Sequence, residues 1–162
     1  LEKGLIPDAF APVLEKKLSE FGSEILGQSF PGDDSEKIKK AILDFAQKGA
    51  DIILCTGGMS VDPDDRTPGA IKATGADIIS YGAPVLPGAM FLLSYLEFAG
   101  RTIPVMGLPG CVMYAGRTIF DLLLPRILAG ERLCGNDFAV LGEGGLCLGC
   151  KDCRYPNCGF GK

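Results

Sequence analysis

The chain has no histidine and no tryptophan among its 162 residues, and its 20 acidic side chains outnumber its 16 basic ones. Without histidine there is no Ser-His-Asp or Cys-His catalysis, no HExxH zinc site and no zinc finger built on paired Cys and His ligands. Acid-base chemistry is left to carboxylates, lysines, tyrosines and thiols. The net charge of −4 argues against nucleic acid as a partner, because phosphate backbones are met by a basic face. Long apolar runs are also missing. The most apolar stretch, Val85 to Leu96, is twelve residues long and is interrupted by Pro87-Gly88, too short to cross a bilayer. Leu1-Glu2-Lys3 leads into no signal-peptide core. Seven cysteines are few for a secreted disulfide scaffold of this length. These absences predict a cytoplasmic protein with no membrane partner. A chain that starts on Leu1 reads as a piece of a longer protein.

What is present is a well-supplied core. Apolar residues make up 47% of the chain, and a domain of about 150 residues buries roughly two thirds of its unfolded surface, so neither disulfides nor metal are needed. Helical spacing runs from an Asp8 cap through Phe10, Val13, Leu14, Leu18 and Phe21 to Gly22. A strand is expected over Glu24–Phe30. After the turn Pro31–Asp34, a helix capped by Ser35 or Asp34 carries Ile38, Ala41, Ile42 and Phe45 and ends at Gly49. Strands are expected at Asp51–Cys55, Ala76–Tyr81 and Ile103–Leu108, with a helix from Pro87-Gly88 to near Gly100 and another from Pro109-Gly110 to Gly130. This alternation predicts an α/β fold of three layers, α/β/α, around a mostly parallel sheet. Composition shifts near Gly130. Residues 1–133 are expected to form the domain and residues 134–162 a Gly/Cys-rich C-terminal extension.

Two glycine turns follow predicted strands, where ligands sit in open α/β sheets. In the first, Thr56-Gly57-Gly58-Met59-Ser60, the glycines let backbone N–H groups approach a ligand and the hydroxyls add donors. Asp62, Asp64 and Asp65 behind it are hard oxygen ligands suited to Mg²⁺. The turn matches neither GxxxxGK[ST] nor GxGxxG. A tight turn with a solvated acidic loop is the plainer alternative. The second turn, Leu108-Pro109-Gly110-Cys111, opens a helix and offers an anion site. Both turns can line one crevice.

The Thr-Gly-Gly-x-Ser turn, the Asp65-Arg66-Thr67-Pro68 segment and Gly107-Leu108-Pro109-Gly110 resemble the molybdopterin-binding domain of molybdenum cofactor biosynthesis proteins, from about Gly4 to Leu133. The resemblance implies that Asp33 and Asp65 act at the pterin phosphate, metal or molybdate as catalytic carboxylates. It also implies that Thr56, Gly57, Gly58, Ser60, Thr67, Pro109 and Gly110 cradle molybdopterin. Gly58-Met59-Ser60-Val61 is similar to the molybdate-insertion branch rather than to the adenylylating branch, which activates the pterin. Pro63-Asp64-Asp65-Arg66-Thr67 looks like the competence-damage branch, linked to nucleotide processing. Pro87-Gly88-Ala89-Met90 and Pro109-Gly110-Cys111-Val112 stand where the insertion branch has Pro-Gly-Lys-Pro and Pro-Gly-Asn-Pro, so a phosphate-binding lysine is missing. The family's first strand and its Gly-x-Glu turn would precede Leu1. The implied activity is a molybdopterin molybdotransferase-like transfer; the alternative is a pterin- or nucleotide-binding or sensing module without turnover. A dimer or trimer is implied, with a molybdoenzyme or another cofactor-assembly protein as partner.

The tail holds Cys147, Cys150, Cys153 and Cys158 at spacings of two, two and four residues. Four thiolates at this density suit zinc or an iron–sulfur cluster. A flexible tail of reduced thiols is the alternative. Cys55 and Cys134 are expected to be structural. Cys111, at a helix start, is the cysteine whose thiol that position would acidify, but a small buried residue in the turn is the expected reading.

Overall fold

A computed structural model describes residues 8–60, 62 and 64–162. Leu1–Pro7, and with them the start of the resemblance at Gly4, lie outside the described residues, as do Val61 and Pro63 of the turn motif. The elements run α1 (Phe10–Ser19), α2 (Ser35–Gln47), β1 (Ile53–Thr56), α3 (Thr67–Ala73), β2 (Asp77–Tyr81), β3 (Leu92–Phe98), β4 (Arg101–Leu108), a 3-10 turn (Gly110–Met113), α4 (Ile119–Leu128) and α5 (Gly135–Val140). The caps of α2 and α4 follow from their side chains; at α1 the expected cap Asp8 accepts the Phe10 N–H at 2.9 Å, but Ala9 holds the cap position. The Asp34 carboxylate accepts the N–H groups of Glu36 and Lys37 at 3.0 and 3.2 Å, so Asp34 rather than Ser35 caps α2. Thr118 and Asp121 form a reciprocal capping box at α4.

The four strands stand in the order β1-β4-β3-β2. Apolar side chains alternate between two cores. Leu92, Leu96, Ile103 and Val105 face Ile42, Ala70 and Ile71 of α2 and α3. Leu93, Tyr95, Met106 and Leu108 face Leu14, Phe120 and Leu124 of α1 and α4. The α/β/α layering is therefore as expected.

Strand direction is not. Only β1 and β4 run parallel; β4 with β3, and β3 with β2, are antiparallel. The expectation of a mostly parallel sheet fails because the stretch after Pro87-Gly88 is β3 and not a helix. Leu92–Leu96 is buried on both faces, and a short run apolar all round carries no periodicity that separates helix from strand. Its link to β4 is the two-residue loop Ala99-Gly100, with φ of +50° and +78°. These values at both loop positions are those of a type I′ hairpin. No strand forms at Glu24–Phe30, which is extended and exposed, with Ile25, Leu26 and Phe30 left open. The helix expected from Gly110 onward begins as the 3-10 turn and resumes only at Ile119.

The segment beyond Leu133 folds back onto the domain. Phe138 packs 6.2 Å from Phe91, centroid to centroid, and Phe160 is buried in the α1/α4 core. Tyr155 donates its hydroxyl to the Asp121 carbonyl at 2.8 Å, and the Arg117 guanidinium lies 4.7 Å from the Tyr155 ring centroid.

Candidate functional site

The parallel pair β1/β4 brings both glycine turns to one sheet end, because Thr56 pairs with Leu108. Between them lies a cleft of about 450 Å³. Met59 and Ser60 line it from the first turn, Pro109, Gly110 and Cys111 from the second. Leu86–Met90 form a third side and Leu146-Cys147 a fourth. The two turns predicted to share a crevice therefore do so.

The first turn is held by its own side chains. Gly57 and Gly58 take φ of +80° and +57°, where a side chain is strained. Thr67, buried at the start of α3, donates its hydroxyl to the Gly57 carbonyl at 2.8 Å. A Cβ on Gly58 would lie 2.9 Å from that hydroxyl oxygen. Asp65 accepts the Ser60 N–H, and the Tyr81 hydroxyl donates to the Ser60 carbonyl at 3.0 Å. Burial, then the nearby Asp65 carboxylate, raise the Tyr81 hydroxyl above its ordinary pKa. The N–H groups of Gly57 and Gly58 donate to no described residue, and Gly57 is exposed and Gly58 half-buried.

Met59 anchors the turn from below. Met59 is 4% exposed as a whole residue and fits against Gly107, where a Cβ would collide with the Met59 thioether. The Gly107-Leu108-Pro109-Gly110 run thus serves two purposes: its first glycine admits Met59 and its last lines the cleft. Sequence reasoning missed Met59, although an apolar residue between two glycines and a serine is the signal that could have found it.

The predicted site residues divide. Ser60, Pro109 and Gly110 line the cleft; Thr56, Gly57, Gly58 and Thr67 build the turn behind it. Asp65 is tied into the turn rather than projecting freely. Asp33 sits exposed on the loop before α2 and does not line the cleft. The four tail cysteines do not converge. Among the described residues no three His, Cys, Asp or Glu side chains gather to hold a metal ion. The expectation of a tetracysteine zinc or iron–sulfur site thus finds no assembled ligand set: Cys147 turns to the cleft while Cys150 and Cys153 are exposed. The acidic loop likewise assembles no three-carboxylate Mg²⁺ site. At Cys111 burial pushes the thiol up, outweighing the hydrogen bond from its own backbone, in line with a small, half-buried residue in the turn rather than an acidified thiol. Burial pushes the Cys55 thiol up to about 12, although the residue as a whole keeps some surface. The desolvated sulfur keeps the thiol protonated at neutral pH, as a structural cysteine requires.

Among the described residues no helix is long and apolar enough to cross a membrane. The family model described as "Probable molybdopterin binding domain" matches residues 1–129. A relative from Bacillus cereus (strain G9842) named "Putative competence-damage inducible protein" is 27% identical over 117 residues, 72% of this chain but 27% of its own length. A protein of the same name from Clostridium novyi (strain NT) is 36% identical over 64 residues, 40% of this chain and 15% of its own. The matched part of the chain thus spans about a quarter or less of the length of such relatives. The crystal structure of a tungsten cofactor synthesizing protein, MoaB, from Pyrococcus furiosus superposes with a TM-score of 0.60 at 21% identity, covering 81% of this chain and 89% of that one. That likeness shows the fold. With the family match over four fifths of its residues, the chain belongs to the molybdopterin-binding domain family of cofactor biosynthesis proteins.

Proposed function

We propose that the cleft binds the phosphate end of molybdopterin, or of a close pterin derivative, during molybdenum cofactor assembly. The observation that carries this is the pair of N–H groups without a described partner at Gly57 and Gly58, at the carboxyl end of β1, in the turn whose next residues, Met59 and Ser60, line the cleft. The residues present fit such a group. Gly57 and Gly58 expose backbone that side chains would cover, and an anion held by neutral N–H donors needs no lysine. This offsets the departure at Ala89, where the molybdate-insertion branch has lysine. Asp65 is then a positioning residue: it fixes Ser60 and with it the turn. Asp33, exposed and outside the cleft lining, has no part in this reading.

A titration calorimeter with a pterin monophosphate as titrant tests it. Wild type binds; Gly58→Val, which pushes into the Thr67 hydroxyl, and Asp65→Ala, which frees Ser60, each bind at least tenfold more weakly. A wild-type protein that takes up no pterin phosphate overturns the reading. The competence-damage relatives favour a second reading, a nucleotide in the same cleft. In that case adenosine monophosphate binds and the pterin does not.

A further inference from the structure

The segment 142–147 lies beyond the residues matched by the family, yet it forms a side of the cleft. Its placement is built in detail. The Leu86 N–H donates to the Gly145 carbonyl at 2.6 Å, and the Cys147 N–H returns to the Leu86 carbonyl at 2.8 Å, so Leu86 and Leu146 form a parallel bridge. Three glycines make this approach possible. A Cβ on Gly145 would collide with the Pro84 carbonyl, one on Gly142 would lie 3.1 Å from the Pro84 ring, and one on Gly144 would collide with the Gly159 carbonyl. Gly161 donates its N–H to the Gly144 carbonyl at 2.7 Å and closes the tail on itself.

The bridge leaves two large apolar side chains in water: Leu86 is 56% and Leu146 61% exposed. Both line the cleft, as does Pro109, and the cleft wall is mostly apolar. N–H groups without a described partner in the β1 turn and uncovered leucines in the cleft lining suit a ligand with an anionic end and a flat apolar or heteroaromatic body. We propose that the cysteine-rich tail is a specificity element, in which Leu146 and Leu86 cover the ring of a ring-bearing phosphate. The inference rests on the reading above for the phosphate end, but the ring it selects is separately testable.

The test uses three probes, a pterin monophosphate, adenosine monophosphate and inorganic phosphate, against wild type, Leu146→Glu and Leu148→Glu. Leu148 is 79% exposed and does not line the cleft, so its variant controls for added charge. The expected result is a ring-bearing phosphate that binds wild type and Leu148→Glu alike, binds Leu146→Glu at least tenfold more weakly, and outcompetes inorganic phosphate only when Leu146 is intact. If that ligand is the adenosine compound alone, the pterin reading fails and the tail's role stands. If either ring compound binds Leu146→Glu as well as wild type, the tail's role is overturned while the phosphate site survives. If neither ring compound binds wild type, both are overturned.

Discussion

The β1 turn and the C-terminal tail are both glycine-rich loops on one cleft, and their glycines work in opposite ways. In the turn, Gly57 and Gly58 hold positive φ and leave N–H groups bare; Gly57 has open space where a Cβ would be. In the tail, Gly144 and Gly145 are glycine because backbone carbonyls occupy the space of a side chain. One loop uses glycine to expose backbone, the other to bring backbone into contact. The first pattern presents a surface to a ligand; the second builds a wall. Composition alone does not distinguish them.

The hardest way to break the contrast is at the tail's base. Asp121 is 4% exposed at its side chain; its carboxylate meets the buried Lys17 ammonium and the Arg117 guanidinium, and its carbonyl accepts the Tyr155 hydroxyl. Asp121→Asn removes the charge opposite Lys17, and a buried ion left unpaired costs about 3–5 kcal/mol. Denaturant unfolding checks this. A smaller loss identifies water reaching Lys17. Gly144→Ala comes next: forcing a methyl against the Gly159 carbonyl is overpacking, at about 1–3 kcal/mol. Limited proteolysis of this variant should cut first beyond Leu141. Cleavage first within residues 56–67 would mean that the tail is not the better packed of the two loops.

Smaller still is Gly57→Ala. No atom opposes the new methyl, so only the left-handed backbone is penalised, by roughly 1–2 kcal/mol. Gly58→Ala adds the Thr67 hydroxyl at 2.9 Å and should exceed Gly57→Ala in thermal unfolding. Equal losses would show that the hydroxyl turns aside freely.

How far these features were legible in the sequence follows from what each depends on. The capped helix at Asp34, the strand before Thr56 and the meeting of the two glycine turns depend on local pattern and on the parallel β1/β4 pair, and the sequence showed all three. Residues 92–98 did not reveal themselves as a strand, since a segment buried on both faces has no polar side to set a period. The tail's role was hidden because it depends on Pro84, Leu86 and Asp121, contacts made far along the chain. Cysteine spacing suggested ligands, but spacing does not say where side chains point.

A titration sharpens the point where the tail begins. At α5 the Asp137 carboxylate accepts the Cys134 N–H at 2.7 Å and pairs with Arg126 at 2.6 Å. The backbone bond first, then Arg126, hold its pKa down to about 2. A depressed carboxyl stabilises the fold above its unfolded pKa of about 3.9 and ceases to do so as pH falls through its folded value. Stability should therefore decline between about pH 4 and 2, and Asp137→Asn should lose part of that decline. An unchanged acid limb would assign the dependence to other carboxylates.

The smallest effect concerns the hairpin that overturned the parallel sheet. Ala99 holds φ +50° and Gly100 +78°. An alanine in the left-handed region is strained by roughly 1–2 kcal/mol, whereas asparagine enters it readily by bonding its own backbone. Ala99→Asn turns the loop into Asn-Gly, the pairing most favoured in type I′ turns. It should raise the melting temperature by a few degrees, the effect of about 1 kcal/mol in a domain near this size. The sign is informative. With Asn-Gly the hairpin would have been visible in the sequence, and a helix over 88–100 would not have been expected. A drop in stability would mean that the loop is not held at positive φ at both positions, and the antiparallel β3/β4 register at Phe98 and Arg101 would need another cause.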